Sequence, residues 1–177
     1  MPQNIMGKEK KEKLDVIPTL SIKRQGIYDF ENLLKVINNA LSDLGYVQLE
    51  NEHSQEQEPG GEIKFDYTCR KGATPYVKFI IDIKILVLRP VNVVVETDGK
   101  KKRMQKGELE IRIKSAMQKN DNMKFTASKY SEFMRQLYEK FVLKDELNKL
   151  EGRLQNDTNF IITRIKGALD MLGGKGI

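Results

Sequence analysis

Apolar and polar side chains alternate from Tyr76 to Leu88. Every odd position there is apolar (Val77, Phe79, Ile81, Ile83, Ile85, Val87), while the even positions mix Tyr76, Lys78, Ile80, Asp82, Lys84, Leu86 and Leu88. Period-two alternation rich in β-branched residues predicts a strand with one buried face. Its thirteen residues would reach about 43 Å, long for a strand and suited to the centre of an antiparallel sheet. The preceding segment, residues 62–70, alternates in the same way. Ile63, Phe65, Tyr67 and Cys69 fall on one side, and Glu62, Lys64, Asp66, Thr68 and Arg70 on the other. A turn over residues 71–75 joins the two as a hairpin. Arg89-Pro90 then bends or interrupts the long strand, and Val91, Val93, Val94 and Val95 resume it.

Asp98-Gly99 is a hairpin turn signal, because both residues tolerate positive φ. A two-residue turn there places Lys102, Met104 and Lys106 opposite Val95, Val93 and Val91. The next apolar set, Leu109, Ile111 and Ile113, has the opposite parity. A bulge near Gly107 reconciles the two registers.

Toward the start, Leu20 and Ile22 predict a short first strand with Pro18 at its entrance. Asp29 opens a helix whose stripe is Phe30, Leu33, Leu34, Ile37, Leu41 and Leu44, and Gly45 closes it. Tyr46 is placed to pack back on Leu41. Val47 and Leu49 allow a short strand, and residues 51–61 read as a polar loop.

From about 128 to 172 the period becomes helical. Tyr130, Phe133, Met134, Leu137, Tyr138 and Phe141 begin a stripe that Leu143, Leu147, Leu150, Leu154, Ile161, Ile165, Ala168 and Leu172 continue. Gly152 and residues 156–158 are places for a kink or restart, with Asp157 as the cap of a separate last helix. Unbroken, such a helix would span about 67 Å and project beyond a domain of this size. The order is β-α-β-β-β-β-β-α. It predicts an α+β fold in which a curved, mostly antiparallel sheet is covered by a long C-terminal helix, a helix-grip-like arrangement.

Composition sharpens this picture modestly. The 177 residues suit one domain over 15–177, preceded by a mobile basic tail over 1–14. The single cysteine excludes an intramolecular disulfide. The first residues lack an apolar leader core and no run of 18 apolar residues occurs, so neither a signal peptide nor a membrane span is expected, and a cytoplasmic setting is. The net charge of +6 points weakly toward anionic partners.

Candidate chemistry is sparse. His53 is the only histidine and reads as solvated; Cys69, on an apolar strand face, reads as a buried structural thiol. With no His/Cys ligand spacing and no phosphate-cradling motif, neither a metal nor a cofactor is expected. Asp66 and Asp82 read as cross-strand charge partners on a wet face. The sharpest feature is the hairpin cluster Lys100, Lys101, Lys102, Arg103 and Lys106, five cations in seven residues without an acid. Such an arm can follow phosphates, although lysines also guard exposed strand edges. No aromatic residue is interleaved, so base stacking is not indicated. Glu50, Glu52, Glu56 and Glu58 complement this cluster in charge and suggest contact between two copies. Leu147, Leu150, Leu154, Ile161 and Ile165 offer a second possible interface through helix pairing.

The segments TLSIKRQGIYDFENLLKVINNALSDLGY and VVETDGKKKRMQKGELEIRIKS resemble small uncharacterised archaeal proteins with a β-α opening, a meander and a long C-terminal helix. That resemblance covers most of residues 19–172 and brings no assigned activity. The expected function is a non-catalytic binding or assembly module, with a protein partner or a second copy. The alternatives are nucleic-acid binding through the basic hairpin, and an apolar-ligand carrier or enzyme with a pocket under the last helix. Tyr67, Tyr76, Tyr130 and Tyr138 are the polar handles such a pocket would have.

Overall fold

The computed structural model describes residues 13–55, 60–74, 77–119, 140 and 143–173. Among the described residues, five strands and two helices run in the order β1 (Lys13–Tyr28), α1 (Phe30–Asp43), β2 (Val47–Gln55), β3 (Glu62–Gly72), β4 (Val77–Thr97), β5 (Lys100–Lys119) and α2 (Leu143–Gly173). The strands form one antiparallel sheet ordered β1-β5-β4-β3-β2. This is the α+β class read from the sequence, with the long alternating strand at the centre.

Burial follows the alternation. Val77, Phe79, Ile81, Ile83, Ile85 and Val87 of β4 are buried beside Leu109, Ile111 and Ile113 of β5 and Ile63, Tyr67 and Cys69 of β3. The stripe of α1 (Phe30, Leu33, Ile37, Leu41) and that of α2 (Leu150, Leu154, Ile161, Ile165) complete one hydrophobic cluster with them. Helix α2 packs against α1, β1 and β5. The opposite side of the sheet carries charge pairs. Lys84 lies 3.6 Å from Asp66 and Lys114 lies 3.0 Å from Asp15. Thr68 Oγ1 donates to Asp82 at 3.0 Å, with Lys13 at 3.9 Å. Asp66 and Asp82 are thus the charge partners their positions predict.

Two expectations change, and two open alternatives are decided. The first strand is sixteen residues long, not a short piece around Leu20, because β5 offers it an edge along nearly its whole length. Lys13 and Leu14, read as tail, belong to it; residues 1–12 lie outside the described residues. The loop expected over 51–61 is strand as far as Gln55, where pairing with β3 outweighs polar composition. The segments on either side of Arg89-Pro90 are one bent strand. Helix α2 runs unbroken through Gly152 and residues 156–158, so Asp157 caps nothing. At 31 residues it spans about 46 Å. The expected helical residues 128–139, 141 and 142 lie outside the described ones.

Local signals at α1 act as read. Asp29 Oδ1 accepts from the Asn32 N–H at 3.0 Å. Gly45 takes φ +78°, and the Tyr46 N–H returns to the Leu41 carbonyl at 2.9 Å.

Candidate functional site

Where β4 and β5 leave the core, their pairing changes. Leu88 faces Glu108 and Val91 faces Lys106, which leaves Arg89 and Pro90 together opposite Gly107. This is the bulge that the parity of the apolar residues requires. Arg89 takes φ +53°, and Pro90, which has no N–H to give, sits where the ladder is interrupted. A Cβ on Gly107 would lie 2.8 Å from the Leu88 carbonyl oxygen and 3.1 Å from that of Arg89, so the backbone approach demands glycine. Gly107 also pairs with Gly26 of β1, at φ +123°. A line of irregular backbone therefore crosses three strands and turns the sheet.

Beyond that line the neighbouring strands end. The last β3 partner of β4 is Glu62, opposite Leu88, and the last β1 partner of β5 is Tyr28, opposite Gln105. Lys106 and Gln105 still face Ile27 and Tyr28 of β1, and past them a two-stranded ribbon of five pairs runs from Val93↔Met104 to Thr97↔Lys100, about 17 Å long. Asp98 (φ +52°) and Gly99 (φ +73°) close its tip in the expected turn. Val91 is 57% exposed and Val94 64%, while Met104, at 8%, anchors the base.

Charge is distributed unevenly over this ribbon. Every cation of the cluster lies on β5. Its β4 partners are Thr97 for Lys100, Glu96 for Lys101, Val95 for Lys102, Val94 for Arg103 and Val91 for Lys106. Lys102 pairs with Asp29 at the start of α1, and Arg89 pairs with Glu108. Burial alone would raise the Asp29 carboxyl, but the Lys102 ammonium and the Asn32 N–H hold it below its usual range. Lys100, Lys101, Arg103 and Lys106 are exposed and have no ion pair among the described residues. A cleft of about 340 Å³ opens between the ribbon base and α1, where Glu31, Asn92, Arg103 and Gln105 meet Phe30 and Val94.

The other sequence-predicted residues are placed elsewhere. Leu150, Leu154, Ile161 and Ile165 are buried in the chain's own core, with Leu147 packed at its margin, so this stripe covers the sheet. Cys69 is fully buried, and burial, helped by the Asp82 charge, pushes its thiol up to about 11. Tyr67 is a core residue. Tyr76, Tyr130 and Tyr138 lie outside the described residues, as does the His53 side chain; the His53 backbone pairs with Phe65. Among the described residues, no three His, Cys, Asp or Glu side chains gather as metal ligands would, and no helix is long and apolar enough to cross a membrane.

One cluster escapes sequence reading altogether. The Tyr46 hydroxyl donates to Asp157 Oδ2 at 2.9 Å, and Lys71 Nζ reaches the same oxygen at 3.3 Å while lying 5.2 Å from the Tyr46 ring centre. Burial, then the Asp157 carboxylate, hold the Tyr46 phenol protonated well above its usual range. The cluster ties the middle of α2 to the end of β3 and the start of β2. Its members stand 111 and 86 positions apart, so no local pattern announces it. No family model matches the chain, and no curated protein matches it.

Proposed function

We propose that this chain is a non-catalytic binding module whose contact element is the cationic β4–β5 ribbon, and whose partner presents a dense array of negative charge. The observation that carries this reading is the four exposed cations beyond the bulge, unpaired among the described residues and held on a frame fixed at its base by Met104 and the Lys102–Asp29 pair. Long-range attraction toward such a patch raises encounter rates and falls with salt. A binding role also accords with how the reactive groups elsewhere are occupied: the Cys69 thiol is sealed in the core and Asp157 is held by two partners. A cytoplasmic setting is part of the proposal, since the lone thiol needs no oxidising compartment.

The test is retention on a heparin column, comparing the native chain with a variant in which Lys100, Lys101, Arg103 and Lys106 are all replaced by glutamine. Lys102 is kept so that Asp29 retains its partner. The native chain should elute at clearly higher salt than the variant. Equal elution, with both proteins folded by circular dichroism, removes the ribbon from the function.

A further inference from the structure

The ribbon has an architecture that narrows its partner. This step rests on the polyanion reading above and adds the class of polyanion. The cations are confined to β5; Lys106 still faces Ile27 of β1, and from Met104 outward, past Lys100, Lys101, Lys102 and Arg103, β5 has no strand on its outer side among the described residues. Successive side chains of a strand point to opposite faces, so Lys101 and Arg103 project to one side and Lys100 and Lys102 to the other. Residues two apart lie about 6.8 Å apart along the strand. An open backbone edge with cations on both of its sides suits a thin, linear, regularly charged strand. It also offers main-chain N–H groups, which contribute to phosphate recognition together with lysine and arginine.

The rest of the ribbon separates duplex from single strand. Residues 91–106 contain no Phe, Tyr or Trp, so there is no platform on which unstacked bases could lie, and that stacking is a main source of single-strand affinity. A duplex keeps its bases stacked and needs only its backbone contacted. A two-stranded β-ribbon also fits within a major groove about 12 Å wide. Glu96 is the β4 partner of Lys101 and Asp98 lies in the tip turn, so residues 91–106 carry five cations against two acids.

We infer that the ribbon binds double-stranded nucleic acid along its sugar–phosphate backbone, through Lys100, Lys101, Arg103 and Lys106, without reading base sequence. Four phosphate contacts give a slope of about −3.6 in log K against log salt, an affinity loss of roughly 150-fold between 50 and 200 mM salt.

The experiment is fluorescence anisotropy with a labelled 20-base-pair DNA duplex, one of its single strands, and a duplex of scrambled sequence. A parallel sedimentation assay uses vesicles with anionic phospholipid. The expected result is duplex binding with a slope near −3.6, unchanged by scrambling and tighter than to the single strand. The four-glutamine variant should lose at least tenfold in affinity and most of the slope. If heparin retention depends on the ribbon but the duplex binds no better than the single strand, or only the vesicles bind, this inference falls while the polyanion reading stands. If heparin retention is also independent of the ribbon, both fall.

Discussion

Strand β4 runs through two environments on either side of Arg89-Pro90, and its composition barely changes between them. From Val77 to Val87 the odd positions are valine, isoleucine and phenylalanine, all buried against two helices. From Val91 to Val95 valine dominates again, yet Val91 and Val94 are mostly exposed. The pairing with β5 is antiparallel throughout. What differs is the company: β1, β3, α1 and α2 surround the first half, and beyond Leu88 and Gln105 the flanking strands stop. β-Branched residues fit a pleated backbone in both places, but only the first half contributes a core. The second half is held out as a surface, and its charge becomes its main property.

The comparison breaks most visibly under truncation. Ile83→Ala, at a fully buried position, should cost about 3 kcal/mol through lost burial and the cavity left behind. Val94→Ala, on the ribbon, should change stability by less than about 0.5 kcal/mol. Urea unfolding midpoints measure both, and comparable losses would mean that the ribbon is packed like the body.

Much of this division is legible in the linear pattern. The alternation of β3, β4 and β5, the Asp98-Gly99 turn, the Asp29 cap and the parity change that places a bulge at Gly107 are local, short-range signals. They yield the sheet centre and the ribbon register. Features set by distant partners are not legible. The full length of β1 depends on an edge supplied by β5, about ninety residues later in the chain. Polar β2 is strand as far as Gln55 because β3 lies beside it. Gly152 and residues 156–158 look like a helix break, but burial of Leu154, Thr158 and Ile161 in the core accompanies an unbroken helix there. The candidate site divides in the same way. Its cations are plain in the sequence, whereas their isolation from neighbouring strands appears only in three dimensions.

Tyr46→Phe removes the hydroxyl that donates to Asp157 and leaves that carboxylate with Lys71. A part-buried hydrogen bond to a charged group suggests a loss of about 2 kcal/mol, read from denaturant midpoints. An unchanged midpoint would show that α2 is held by its apolar stripe alone.

The smallest effect belongs to the junction between body and ribbon. Asp29→Ala removes the cap of α1 and should cost about 1 kcal/mol. Because the folded carboxyl titrates below its unfolded value, its contribution is present above the unfolded pKa and is lost as pH falls through the folded one. Lys102→Gln should therefore lower stability near neutral pH and shrink the part of it that is lost on acidification, in melting curves between pH 2 and 6. An identical pH dependence would mean that the Asn32 N–H alone sets the Asp29 carboxyl.

Hydrogen–deuterium exchange by mass spectrometry, with and without heparin, addresses the division of labour most directly. Peptides covering 91–106 should exchange quickly in the free protein and slow markedly when heparin is added, while those covering 77–88 and 108–118 stay slow and unchanged. Protection that appears in the body, with the ribbon exchanging as before, would contradict the roles of scaffold and contact element.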